Sequence, residues 1–317
     1  MKNLFIIGNG FDIAHGFKTQ YSCFKEWIEN LLDDPSPTDT LPLGYFITDR
    51  DDETNYKTGL CFLKELFDNN ISLDYRWNTF EDSLSKLPIA SKFESIVSEV
   101  LEPGEAFENP SRYDDVCVNN ATLILDAMTK IPDYFSDWIK SVDIGTPCGK
   151  VKISDHFSSD ALFINFNYTE TLESIYGISR HQICYIHGSR QNIMDRLIIG
   201  HSDETHEIDN DFDCPSVKSI LEDAIRLLRK DPKSNISNNS SFLRNVNENI
   251  TDIYTFGFAF GKQDLPYIAD VIQRTGGKAK WHLSDFDDEN TRKEIARLLK
   301  SYNQFGEISP FDHRLIL

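Results

Sequence analysis

Four consecutive apolar residues, Leu4-Phe5-Ile6-Ile7, run directly into Gly8-Asn9-Gly10. No polar residue alternates with them, so a strand built from this run needs cover on both faces. A short apolar run ending in glycines reads as a buried strand of a parallel sheet, and parallel strands are joined by crossover connections, usually helices. The rest of the chain supplies what that demands. Ala161 to Ile164, Ile183 to Ile186 and Leu197 to Ile199 are further short apolar runs, and Ile253 to Phe256 and Ala279 to Leu283 also read as strands. Helical patterns over Thr169–Tyr176, Val217–Arg229, Leu265–Arg274 and Glu289–Leu299 alternate with them. Strand–helix alternation implies a parallel sheet in an α/β fold.

Between the first strand and residue 150 the pattern is helical instead. Phe24, Trp27, Ile28, Leu31 and Leu32 recur at helical spacing over Tyr21–Leu32. Helical patterns follow at about 59–69, 76–87, 91–101 and 118–143, and Pro132 should kink the last or start a new helix. Residues 33–58, 103–116 and 231–241 read as loops. The expected architecture is a Rossmann-like parallel sheet, residues 1–19 plus 151–317, with a large α-helical insertion, residues 20–150, after the first strand.

Charge narrows the partners. Asp plus Glu number 51 against 32 Lys plus Arg, a formal charge of −19. Such a surface repels nucleic-acid backbones, so general nucleic-acid binding is not expected. A small phosphorylated ligand held by backbone N–H groups remains compatible. No apolar run approaches the ~20 residues that span a bilayer, so no membrane association is expected. The opening segment is too short in its apolar part for a signal peptide. Cys23, Cys61, Cys117, Cys148, Cys184 and Cys214 are scattered without a C-x-x-C pair, which argues for reduced thiols in a cytoplasm and against a zinc module.

Four stretches could carry chemistry. Gly8-Asn9-Gly10-Phe11-Asp12, with His15 behind it, is a glycine-rich turn after the first strand and can bring backbone close to phosphates. It is also explained by a tight strand-to-helix turn. Asn165-Phe166-Asn167-Tyr168-Thr169 places amides and a hydroxyl past a buried strand, where ligands bind in open α/β sheets. Capping of the next helix is the structural alternative. His187-Gly188 puts an imidazole at a strand end, as a base or as a satisfied structural histidine. Gly257 to Asp264 repeats the strand-then-glycine pattern and ends in an acid that also suits a helix start. Trp77 and Glu81 share a helix face in the insertion, chiefly as packing and a solvated acid, with Glu81 facing the cleft as the functional alternative.

Together these stretches resemble the AbiH family of phage abortive-infection proteins. The resemblance runs from residue 2 to about residue 300. It rests on Phe5 to Gly16 with Thr19, Tyr21 and Phe24, on Phe166-Asn167-Tyr168-Thr169 with Leu172-Glu173, on Ile186-His187-Gly188, on Phe256-Gly257 with Asp264-Leu265-Pro266-Tyr267, and on Trp281-His282. More distantly the motif order is similar to sirtuin-like NAD-binding domains. That similarity implies Gly8, Gly10 and Asp12 at the phosphates and nearby ribose, Asn167 positioning a ribose hydroxyl or water, and His187 as base. Asn9, Phe11, His15, Asn165, Thr169, Gly188, Gly257 and Asp264 would complete the nucleotide pocket. The acid that usually follows the Asn by two positions is Thr169 here, and the first turn ends in Phe11-Asp12 where many sirtuins have Ile-Ser. Only Cys214 lies between His187 and Gly257, so the four-cysteine module of lysine deacylases is missing.

The resemblance implies an antiphage protein that hydrolyses the nicotinamide–ribose bond of NAD, with Asn167, His187 and Asp12 as catalytic residues, NAD as substrate and no metal. A non-catalytic nucleotide-binding sensor is the alternative, favoured by Thr169. A nuclease or RNA-directed toxin lacks clustered carboxylates and a basic stripe. Self-association into a homo-oligomer is compatible with each reading.

Overall fold

The structure, a computed structural model, describes residues 2–33, 60, 64, 81, 84–102, 104–145, 150–192, 197–202, 208, 214–284, 286–312 and 315–316. Its strands are β1 (Lys2–Ile7), β2 (Lys150–Val151), β3 (Leu162–Asn165), β4 (Ile183–Tyr185), β5 (Ile250–Phe256), β6 (Lys280–Ser284), β7 (Ile308–Phe311) and β8 (Leu315–Ile316). Its helices are α1 (Asn9–Ala14), α2 (Tyr21–Asp33), α3 (Ile89–Val100), α4 (Glu105–Glu108), α5 (Pro110–Thr129), α6 (Ile131–Ser141), α7 (Thr171–Tyr176), α8 (Pro215–Arg226), α9 (Pro232–Asn238), α10 (Ser240–Leu243), α11 (Leu265–Arg274) and α12 (Glu289–Ser301). The chain divides into two compact units. One comprises Met1–Gln20, Ile139–Ile198 and Asp231–Leu317; the other comprises Tyr21–Trp138 and Ile199–Lys230.

The first unit is an α/β domain. Six strands form a wholly parallel sheet in the order β4-β3-β1-β5-β6-β7, while β2 and β8 form a separate antiparallel pair. Counted by occurrence within the sheet, the order is 3-2-1-4-5-6, that of doubly wound nucleotide-binding sheets. The order reverses between β1 and β5, and in such sheets the crevice beyond the carboxyl ends of the strands at that point takes the ligand.

Strand periodicity sorts β1 between two cores. Leu4 and Ile6 face one side with Leu162, Ile164, Ile253, Trp281 and Leu283. Tyr267, Ile268, Val271 and Ile272 of α11 and Ile295 and Leu299 of α12 join that core. Phe5 and Ile7 face the other side with Phe163, Tyr254, Phe256 and Leu172. Phe5 is stacked between Phe163 and Tyr254, both ring centroids at 5.0 Å. Burial on both faces is why the sequence shows an unbroken apolar run, and each such side chain contributes ~1.5–3 kcal/mol on leaving water.

The second unit is helical. Helix α5 packs against α3, α4 and α8. Phe24 of α2 meets Phe135 and Trp138 of α6 at centroid distances of 5.7 and 5.1 Å. Residues 199–230, grouped by sequence with the α/β part, lie in this unit because α8 packs on α5.

Several local expectations are corrected. Residues 103–116 are not a loop: α5 starts at Pro110, with Asn109 Oδ1 accepting from the Arg112 N–H at 3.3 Å. Residues 231–241 are not a loop either: Asp231 caps α9, accepting from the Ser234 N–H at 3.0 Å, and α10 follows. Leu197 to Ile199 forms no strand; beside it only an isolated bridge joins His201 to Arg229. Strand β7 was not expected, since Pro310 interrupts its ladder, and an edge strand tolerates that. Pro132 does start a new helix, α6. Beyond Asp33 the expected loop to residue 58, and most of the patterns at 59–69 and 76–87 with Trp77 and Phe80, lie outside the described residues. Among the described residues no helix is long and apolar enough to cross a membrane.

Candidate functional site

The site sits past the carboxyl ends of four neighbouring strands. Asp12 follows β1, Asn167 follows β3, His187 follows β4 and Asp264 follows β5.

The glycines of the first turn serve close backbone contact. Gly8 N–H donates to Phe256 O and Gly10 N–H to Gly257 O, both at 3.0 Å. A Cβ on Gly8 would lie 2.4 Å from Gly257 O, and one on Gly10 would lie 2.6 Å from Gly257 Cα. Gly257 itself has φ +63°, and its Cβ would lie 2.3 Å from Phe11 N. Three glycines therefore let two chain turns touch across the switch point. The Gly8 and Gly10 amides are thus committed to the last carbonyl of β5 and to that of Gly257 just past it.

Asp12 lies in the first turn of α1 and is 1% exposed. Its carboxylate accepts hydrogen bonds from Thr169 Oγ1 at 2.5 Å and Thr171 Oγ1 at 2.7 Å. Burial raises its pKa from 3.8 to about 6, opposed by the two hydroxyls, the Asn167 amide and the positive charge of Arg190. Asn165 shapes the turn: its Oδ1 accepts from the Asn167 N–H at 3.0 Å. Asn167 is 4% exposed, and its Nδ2 has no hydrogen-bond partner among the described residues. Its amide lies near enough to favour Asp12's charged form without the geometry of a hydrogen bond. A buried donor left unmade costs ~1–3 kcal/mol and calls for an explanation.

His187 is also buried, and its Nε2 lies 3.3 Å from Asp264 Oδ1, too poorly aligned for a hydrogen bond. The ring is boxed by Phe166 at 5.2 Å, Tyr267 at 5.8 Å and Tyr168 at 6.2 Å. Gly188, at φ +88°, closes the turn by donating to Tyr185 O at 3.2 Å. An imidazole beside a carboxylate in an aromatic box can accept a proton and have the resulting charge compensated.

Other expected residues have structural work. Phe11 packs on Phe256 in the core, at 5.4 Å. His15 bridges Phe11 O and the Tyr176 hydroxyl, both at 2.6 Å, and burial lowers its pKa. Asn9 donates through Nδ2 to Thr19 O at 2.9 Å. Glu81, expected as a solvated acid, is buried in the helical unit and pairs with Lys230 Nζ at 2.7 Å.

Three groups escaped the sequence reading. Thr171 is the second hydroxyl on Asp12. Arg190 grips Glu170 through Nε and Nη2, at 2.7 and 2.6 Å, and its Nη1 donates to Ile139 O and Val142 O. Tyr185 donates to Glu173 Oε2 at 2.5 Å. Only the basic residue two places after Gly188 offered a signal for any of them. Among the described residues no group of His, Cys, Asp and Glu is arranged to hold a metal ion.

A family model described as bacteriophage abortive infection AbiH matches residues 4–285. No curated protein and no solved structure matches the chain.

Proposed function

This chain belongs to the AbiH family of bacteriophage abortive infection proteins, and from that premise we propose that it acts on NAD at the carboxyl edge of its parallel sheet. The reaction is hydrolysis of the nicotinamide–ribose bond. The observation that carries this reading is the buried, unpartnered Nδ2 of Asn167 beside the Asp12 carboxylate. A ribose hydroxyl or a water would satisfy it.

The residues have separable tasks. Asn167 orients the attacking water or holds a ribose hydroxyl. Asp12, fixed by Thr169 and Thr171, opposes the positive charge that develops on the ribose. His187 takes the proton that the attacking water loses, and Asp264 steadies the imidazolium. The C1′–N bond breaks with its electron pair leaving on neutral nicotinamide, and the C1′–O bond forms to water, giving ADP-ribose. In the abortive-infection setting such a reaction drains the cofactor from the infected cell.

A non-catalytic nucleotide sensor is the second reading. The hydroxyl of Thr169 favours it, because that side chain supplies no acid of its own beside Asn167. Incubation of purified protein with NAD, followed by quantification of nicotinamide and ADP-ribose, separates the two. The hydrolase reading expects release by wild type and at least a hundredfold loss in His187→Ala, as for removal of a general base. Binding of NAD with no release would leave the sensor reading.

A further inference from the structure

A second feature of the α/β unit lies along the outer edge of β4. There a cleft of about 430 Å³ is lined by the strand itself, by Arg180, Asn192 and Ile198, and by Asn238, Asn239 and Phe242 from the α9–α10 segment. That volume suits a small-molecule ligand. The edge is not open to an added strand. Ile183 N–H donates to Arg180 O, Ile183 O accepts from Arg180 Nη1 at 2.7 Å, and Tyr185 O accepts from Gly188 N–H at 3.2 Å. What the cleft offers is side-chain amides beside an aromatic ring.

We propose that this cleft holds the adenine of the nucleotide, with the Asn238 amide reading the donor–acceptor edge of the base and Phe242 and Ile198 covering its face. The inference rests on the nucleotide reading above. Asn238 is exposed and its side chain makes no hydrogen bond among the described residues. A primary amide presents one donor group and one acceptor, which matches the amino group and ring nitrogen of adenine. The neighbouring amides are held in place. Asn239 Nδ2 donates to Asn235 Oδ1 at 2.9 Å, and Asn235 Nδ2 donates to the Tyr267 hydroxyl at 2.9 Å. Tyr267 also touches the His187 ring, and Gly188, next in sequence, lines the cleft. The cleft therefore borders the His187 turn at Gly188, and the proposed dinucleotide lies with its base in the cleft and its other end toward His187.

The test is equilibrium binding of AMP, ADP-ribose and NAD to wild type, Asn238→Leu, Phe242→Ala and His187→Ala. Asn238 is exposed, so its replacement leaves folding intact. The expected result is loss of affinity for all three ligands on the order of tenfold in Asn238→Leu and in Phe242→Ala, with AMP binding retained in His187→Ala. Wild-type binding matched by both cleft variants overturns the cleft assignment alone. Wild type that binds none of the three removes the nucleotide reading and this inference with it.

Discussion

Asp12 and Thr169 stand 157 residues apart in sequence and meet through a hydrogen bond of 2.5 Å in the buried floor of the candidate site. Position 169 offers a hydroxyl and no charge of its own, and the structure puts the Asp12 carboxylate against it from the turn after β1. With Thr171 the arrangement holds one acid between two hydroxyl donors.

Asp12 gives a pH dependence with a defined sign. Its folded pKa, about 6, lies above its ordinary value of 3.8. Between these values the unfolded chain has lost the proton and the folded chain retains it. The native state then binds more protons, so this group's contribution to stability falls as pH rises through that window, by up to about 3 kcal/mol. Asp12→Asn should abolish this component. Urea melts at pH 4, 6 and 8 should show the variant gaining on wild type as pH rises; a constant difference would refute the assignment.

The two hydroxyls should matter most when Asp12 is ionised. Thr171→Val should cost about 1.5–3 kcal/mol at pH 8, the range for a hydrogen bond to a charged group. The cost should shrink at pH 4, and the Asp12 titration, followed by carboxyl NMR, should move further up. A titration left in place would show that the hydroxyl does not stabilise the charge.

Gly257 is the tightest backbone position in the site. A methyl group there meets Phe11 N at 2.3 Å and also takes a φ of +63° that L residues avoid. Gly257→Ala should lower stability by more than about 2 kcal/mol, combining left-handed strain with the clash. An unchanged denaturation midpoint would show that the two turns do not touch as described.

Lys230 and Glu81 form a buried pair in the helical unit, 2.7 Å apart. Lys230→Met strands a buried carboxylate and should cost about 3–5 kcal/mol, whereas Glu81→Leu with Lys230→Met together should recover most of that loss. Thermal melts of the single and double variants measure it. A double variant no more stable than the single would contradict the pairing.

The fold was largely legible because its signals are local. The runs around Leu4, Phe163 and Cys184 became strands of the sheet because burial on both faces removes polar residues from them, and the segments around Tyr254 and Trp281 became the next two strands although Asp252, Lys280 and His282 interrupt their apolar residues. The misread loops had signals too: Asn109-Pro110 and Asp231-Pro232 are each a helix cap followed by proline at the first helical position. Polar composition hid them. The site was legible only as a set of strand ends. That Phe11 and His15 pack inward, that Gly8 and Gly10 spend their amides on Phe256 and Gly257, and that Thr171 joins Asp12 all depend on contacts between distant segments.

In the nucleotide-site reading the unpartnered Asn167 amide meets a ligand hydroxyl. Equilibrium dialysis of ADP-ribose against wild type and Asn167→Ala tests it whether or not the protein turns over NAD. Wild type should bind, and the variant should lose affinity on the order of tenfold or more, from the missing hydrogen bond to a ligand hydroxyl. Equal binding by the two proteins would contradict it.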